Sequence, residues 1–178
     1  EIETTNFILI NLKKENRSLY RIYKNEQSSI EAYLEDYACF TQALTKMYQA
    51  TFDEKWLRHA LELTQYTIDH FYDQEEKLFY FTSDVSEKLI ARKKELFDNV
   101  IPSSNSIMAI NLHFLSLYTY NEKWQTISKL MITRMQNLLK GNTTHLTNWA
   151  SLYIYKLFPT IEIALIGDEA LKYKKQID

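Results

Sequence analysis

The sequence is 178 residues long, 46% apolar, with 21 basic and 23 acidic side chains and a net charge of −2; this suits one domain with a real core and leaves no global field to recruit nucleic acid or an anionic membrane. Two glycines, two prolines and one cysteine remove the punctuation of tight turns and phosphate loops, a disulfide framework and a cysteine-built metal site, so helices and a reducing, cytoplasmic setting are expected. No apolar run reaches the roughly 18 residues of a membrane helix, and no basic-then-apolar signal pattern opens the chain.

Residues 4–14 carry Phe7, Ile8, Ile10 and Leu12, the end of a helix, followed by a short extended piece over 19–23. Apolar side chains at 37, 40, 44, 47 and 48 keep a helical rhythm. After a turn at Thr51-Phe52-Asp53, residues 57, 60, 61, 64, 68 and 71 form a second stripe opposite Glu54, Arg58, Glu62 and Gln65, with Asp53 as N-cap. Between 73 and 100 the rhythm breaks, and 78–82 with 88–91 reads as a small β-hairpin or a long loop, a kind of segment that often carries function. Ser103 or Ser104 caps a helix running to about Tyr120, apolar nearly all round and therefore buried. An amphipathic helix spans 122–139, and another, 144–157, sets Leu146, Trp149, Ala150, Tyr153, Ile154 and Leu157 on one stripe. After Pro159, residues 161–166 read as a short strand ending at Gly167, before a final helix. Cys39 reads as a small buried hydrophobe, and His59, His70, His113 and His145 as surface or packing residues without ligand spacing.

Asp53-Glu54-Lys55-Trp56 recurs as Asn121-Glu122-Lys123-Trp124, an offset of 68 that lays Leu44 on Leu112, Met47 on Leu115 and Asp36 on Ser104. Each unit is a buried helix, a short turn, an amphipathic helix and a long connection. Inner helices packed on both sides, alternating with outer helices wetted on one, are what an α/α toroid requires. The expected fold is all-α: a single domain over 1–178, a partial six-hairpin ring of helical hairpins, with a minor β-hairpin and a short C-terminal strand. About three inner helices make roughly half of such a ring. The chain opens at Glu1 without Met and closes on Lys174-Lys175-Gln176-Ile177-Asp178 without a clear stop, so a C-terminal fragment of a larger toroid is expected.

Ligands in such a ring are expected where the long connections meet the N-termini of inner helices, whose N–H groups and positive dipole end attract polar groups. Tyr33-Leu34-Glu35-Asp36-Tyr37 reads either as helix capping or as paired acids and aromatics lining a pocket. The second segment runs from Arg92 to Ser106. A loop and N-cap account for Ser103 and Ser104, whereas Asp98 and Asn105 are candidates to face the ring centre. Glu35, Asp36 and Asp98 are the acid–base candidates, because hydrolysis or epimerisation of a sugar needs titratable groups within reach of one bound ligand. Tyr33, Tyr37, Arg92, Ser103, Ser104, Asn105, His145 and Trp149 are the substrate-binding candidates. No Ser-His-Asp order, P-loop or zinc pattern appears, and no metal or cofactor is expected.

Phe7-Ile8-Leu9-Ile10-Asn11-Leu12, Leu19-Tyr20-Arg21, Tyr33-Leu34-Glu35-Asp36-Tyr37-Ala38, Phe71-Tyr72-Asp73 and Ile101-Pro102-Ser103-Ser104-Asn105-Ser106, in this order, resemble the C-terminal half of the thioredoxin-domain-containing proteins related to spermatogenesis-associated protein 20. The resemblance covers about residues 1–167. It implies a six-hairpin toroid similar to glycosidases and N-acylglucosamine 2-epimerases, with an upstream thioredoxin-like domain and the missing ring half as partners. Sugar chemistry, and a sugar-like polar small molecule as ligand, are implied only through fold analogy; the alternative is a non-catalytic helical scaffold for the thioredoxin-like domain. Asn99, Ser104 and the turn Glu75-Glu76-Lys77 stand where that family carries glycine.

Overall fold

The computed structural model describes residues 2–86, 92–141 and 143–158, and singly 160, 161, 163, 166, 167 and 172. Residues 88–91, and most of the expected strand over 161–166 and of the final helix, lie outside the described residues. The described chain is predominantly helical, with two small antiparallel hairpins. Its elements are α1 (Ile2–Asn11), β1 (Tyr20–Lys24), β2 (Gln27–Glu31), α2 (Leu34–Thr51), α3 (Glu54–Phe71), β3 (Tyr72–Asp73), β4 (Leu78–Phe79), α4 (Ser104–Thr119), α5 (Glu122–Leu139) and α6 (Thr147–Leu157).

The offset of 68 seen in the sequence is also an offset in structure. Helices α3 and α5 have both bounds shifted by 68. Asp53 Oδ1 accepts the Lys55 N–H at 3.0 Å and Asn121 Oδ1 accepts the Trp124 N–H at 3.1 Å, so each outer helix starts on a side-chain cap. Trp56 and Trp124 are both buried behind those caps, as are Leu44 and Leu112 on the inner helices. Even the joints match: α2 and α4 end on Phe52 (φ 57°) and Tyr120 (φ 53°), which donate their N–H groups to Tyr48 O and Ser116 O. A non-glycine residue in this left-handed conformation is strained by about 1 kcal/mol. Tyr120 is 80% exposed, so Tyr120→Gly is expected to raise stability by about 0.5–1 kcal/mol. A urea midpoint that falls instead would show that the ring contributes more than the strain costs.

Helix α2 packs on α3 and α4, α4 on α5 and α6, and α5 on α6 as well. The inner helices α2, α4 and α6 run parallel. Near their starts, the Leu34 N–H donates to Phe81 O, Asn105 bonds Phe79 two residues away, and Asp98 accepts from both Ser103 and Asn148. Near the ends of α2 and α4, Gln49 Nε2 donates to the Tyr118 hydroxyl at 2.7 Å. The described parts of the connection, 72–86 and 92–103, thus lie at the end of the molecule where all three inner helices begin.

Three sequence expectations are corrected. The buried residues of α3 are Trp56, Ala60, Leu63, Thr64, Tyr66, Thr67, Ile68 and Phe71, so positions 60, 64, 68 and 71 of the expected stripe are buried, whereas Leu57 and Leu61 are only half-buried; the large indole of Trp56 takes an inward direction beside them. On α6 the buried residues are Leu146, Trp149 and Leu152, whereas Tyr153, Ile154 and Leu157 are exposed, because the Trp149 Nε1–H to Leu96 O bond at 2.8 Å sets that helix's rotation. Cys39 is exposed: the buried face of α2 runs through Tyr37, Ala38, Thr41, Leu44 and Thr45 and leaves position 39 outside. Strand β4 pairs with β3, Tyr72 opposite Phe79, across a turn in which Lys77 has φ 60°, the left-handed conformation that favours glycine. Strand β2 has no clear sequence signal. It pairs with β1 across Asn25-Glu26, both at positive φ, a two-residue turn that usually advertises itself with glycine.

Candidate functional site

At the start of α2, Asp36 Oδ2 accepts the Tyr33 N–H at 2.8 Å and closes a capping box. Arg21, on β1, reaches both Glu35 (2.6 Å) and Asp36 (2.8 Å) and lies over the Tyr33 ring, which stacks on Phe81. Burial raises the Asp36 carboxyl above its ordinary value despite the Tyr33 N–H and the Arg21 charge. Tyr37 is fully buried. Its hydroxyl accepts the Leu19 N–H at 2.8 Å, its ring stacks on Tyr66, and burial pushes its phenol far up.

Asp98 is 9% exposed and joins two helix starts. Oδ1 accepts the Ser103 N–H at 2.9 Å and the Ser106 hydroxyl at 3.4 Å; Oδ2 accepts the Asn148 N–H at 2.9 Å and the Thr147 hydroxyl at 3.2 Å. Burial pushes its carboxyl up, but the Asn148 and Ser103 N–H groups more than offset this and hold it below the ordinary value. Its own N–H donates to His145 O. Ser103 caps α4, accepting the Ser106 N–H, and the Ser104 hydroxyl is buried without a hydrogen bond. Asn105 accepts the Phe79 N–H and donates to Phe79 O and Glu95 O. Arg92 donates to Thr82 O and His70 O and lies over the Tyr80 ring. Trp149 donates to Leu96 O.

The structure therefore brings Tyr33, Glu35 and Asp36 together around Arg21, and joins Asp98 and Ser103 to the start of α6. Asn105 and Trp149 spend their polar groups fastening Phe79, Glu95 and Leu96 to α4 and α6, and Arg92 ties itself to Thr82 O and to His70 O on α3.

A different set of residues faces a cleft of about 210 Å³ between the three inner helices. Gln42, Thr45, Lys46 and Gln49 come from α2, Ile110, Asn111 and Phe114 from α4, and Asn148, Ser151 and Tyr155 from α6. Asn111 Nδ2 donates to Ala38 O, leaving its carbonyl as an acceptor. The Tyr155 ring meets Phe114 edge-on at 5.1 Å and lies nearly parallel to His113 at 6.2 Å. Among the described residues, no carboxylate lines this cleft. Its sequence signal was present but quiet: amide and hydroxyl residues at 42, 45 and 49, and Asn111 within an otherwise apolar helix. Among the described residues, no group of three or more His, Cys, Asp or Glu is placed to hold a metal ion, and no helix is long and apolar enough to cross a membrane.

His113, beside the cleft, is 5% exposed with both ring nitrogens unbonded. Burial, and secondarily the Lys156 charge, push its pKa down to about 4. The unfolded chain, titrating near 6.5, then binds the proton more tightly than the fold does. This stability is complete above pH 6.5 and is lost as the pH falls towards 4. From pH 7 to pH 5 the loss is expected to be about 2 kcal/mol, and His113→Leu should flatten that part of the urea-midpoint profile. An equally steep profile in the variant would assign the acid sensitivity elsewhere.

No family model matches the chain. It is similar to spermatogenesis-associated protein 20 of Mus musculus (27% identical over 154 residues), Homo sapiens (27% over 147) and Rattus norvegicus (25% over 146), in each case over 82% of this chain. It covers 18% of the mouse and rat proteins and 19% of the human one, so it spans under a fifth of the length of these curated relatives. The chain is a distant relative of these proteins.

Proposed function

We propose that the chain is an arc of an α/α ring of helical hairpins that binds an uncharged, polyhydroxylated small molecule of the carbohydrate kind in the cleft between α2, α4 and α6, without transforming it. One observation carries this reading: amides and hydroxyls from three inner helices converge beside the Tyr155 and Phe114 rings, with Lys46 the one charged side chain among the described lining residues and no carboxylate. Amides both donate to and accept from vicinal hydroxyls, and aromatic faces take the C–H face of a sugar ring. General acid–base work needs a suitably placed titratable side chain at the ligand, and hydrolysis of a glycosidic bond ordinarily takes a pair of carboxyls. Of the three expected acids, Asp98 is filled by four donors and Glu35 is paired with Arg21. Asp36, whose carboxyl burial raises above its ordinary value, caps α2 and is paired with Arg21.

A thioredoxin-like domain and the remaining hairpins of the ring are the proposed partners, and a cytoplasmic setting the proposed location. Support comes from the similarity to much longer relatives and from the single cysteine. The competing reading, a scaffold without a ligand, draws on the structural bonds made by Asn105, Arg92 and Trp149.

Thermal unfolding with a panel of neutral mono- and disaccharides separates the two. Saturation to about ten times Kd adds about 1.4 kcal/mol, a rise of roughly 3–5 °C. The rise is expected with at least one sugar, disappearing in Tyr155→Ala and Gln42→Ala but surviving Asp98→Asn. Absence of any rise, or a rise indifferent to Tyr155→Ala, supports the scaffold.

A further inference from the structure

On α6, Trp149 and Leu152 are buried, and Lys156 continues their stripe at spacings of three and four. A lysine therefore stands, half-buried, where the pattern calls for an apolar side chain. The groups around it are basic too. Lys156 acts on His113 of α4, and Lys129 of α5 acts on Lys156, each as an adverse charge. His113 is 5% exposed, and neither of its ring nitrogens makes a hydrogen bond. Three helices thus bring three basic groups together.

Three other half-buried lysines end on acids: Lys13 on Glu62, Lys14 on Glu31, and Lys94 on Asp73 and Glu76. Among the described residues Lys156 has no carboxylate partner, and although it lies in the last turn of α6 it donates to none of the carbonyls there. Burial, and then the Lys129 charge, lower its affinity for a proton. A desolvated lysine beside a second cation is the arrangement that frees an amine for attack on carbon. The half-buried position admits only a small electrophile. The product should be an anion, because an anion relieves the crowding of positive charge and gives the His113 ring N–H an acceptor. Carbon dioxide meets both requirements.

We propose that Lys156 is a carbamate-forming site that takes up carbon dioxide, with Lys129 and His113 as the partners of the product. The nitrogen lone pair forms a bond to carbon, one C=O π bond breaks with its electron pair moving to oxygen, and the amine proton leaves to water. A cation is thereby replaced by an anion that pairs with the Lys129 ammonium and accepts from the His113 imidazole. The site lies beside the cleft that Phe114 and Tyr155 line, takes no residue from it, and stands whether or not a sugar binds there.

The 178-residue chain, held in bicarbonate at about pH 8, is treated with triethyloxonium, which ethylates carbamates and fixes them for peptide mass spectrometry. The ethoxycarbonyl group is expected on Lys156 at roughly ten times its yield on the exposed Lys24 and Lys123. Lys129→Glu, a change at an exposed position, supplies the missing acid, keeps Lys156 an ammonium and should bring its yield down to theirs, whereas Lys129→Arg should retain most of it. Isotope-labelled bicarbonate should also give a carbamate carbon resonance that Lys156→Arg removes. A yield on Lys156 no higher than on Lys24 and Lys123, or one that Lys129→Glu leaves in place, overturns the proposal. Selective reductive methylation of Lys156 by formaldehyde without any carbamate overturns it too, because the amine is then free but holds no carbon dioxide.

Discussion

Replacing Asp98 with alanine is expected to lower the unfolding free energy by about 3–4 kcal/mol, although this residue looks like a catalytic acid in the sequence. Its carboxylate serves two helix starts at once, accepting the Ser103 and Asn148 N–H groups and two hydroxyls from a position 9% exposed. Each lost cap costs about 1–2 kcal/mol, and the donors left in a dry site add to that. Asp98→Asn keeps one acceptor oxygen and should lose about half as much. The pH dependence has a definite sign: with a folded pKa below the ordinary value, the contribution is complete above about pH 4 and is lost as the carboxylate protonates at lower pH. The urea midpoint of Asp98→Ala near pH 7, compared with the parent, measures the effect. A change below about 1 kcal/mol would mean that water replaces the carboxylate and that the residue was available for other work.

Trp149→Ala is expected to cost about 3–5 kcal/mol. The indole is fully buried, and its Nε1–H anchors the 92–98 connection through Leu96 O at 2.8 Å. The variant therefore opens a cavity, leaves a buried carbonyl without its donor, and loosens α6 together with the segment that carries Asp98. Trp149→Phe fills most of the volume without the hydrogen bond and should fall between the two. If Trp149→Ala instead removed ligand binding at unchanged stability, the indole would belong to a binding surface rather than to the core.

These two residues illustrate what was legible in the sequence. The repeated Asp/Asn-Glu-Lys-Trp turn located both hairpins, because a side-chain cap next to a buried Trp is a local signature. The start of α4 is legible to within one residue, as Ser103 or Ser104, and Ser103 is the cap. What a local pattern could not reveal is which polar groups meet a partner from a distant part of the chain. Asp98 is taken by Asn148, Asn105 by Phe79, and Arg92 by Thr82; polar residues clustered at helix starts look the same whether they await a ligand or the chain itself. The rotation of α6 was misjudged for a related reason. Trp149 and Tyr153 are equally apolar in a stripe, and only the carbonyl of Leu96 decides which of them points inward. The cleft between the inner helices leaves no contiguous mark in the sequence, because Gln42, Thr45, Asn111 and Ser151 come from three separate helices and form no motif.

The most direct test of the account is a titration of the 178-residue chain with neutral saccharides, followed by amide chemical shifts. The account expects saturable changes for at least one sugar, concentrated at Gln42, Thr45, Asn111, Ser151 and Tyr155 and small around Asp98 and Arg92. No saturable change with any sugar, or changes centred on Asp98 and Asn105, would contradict it.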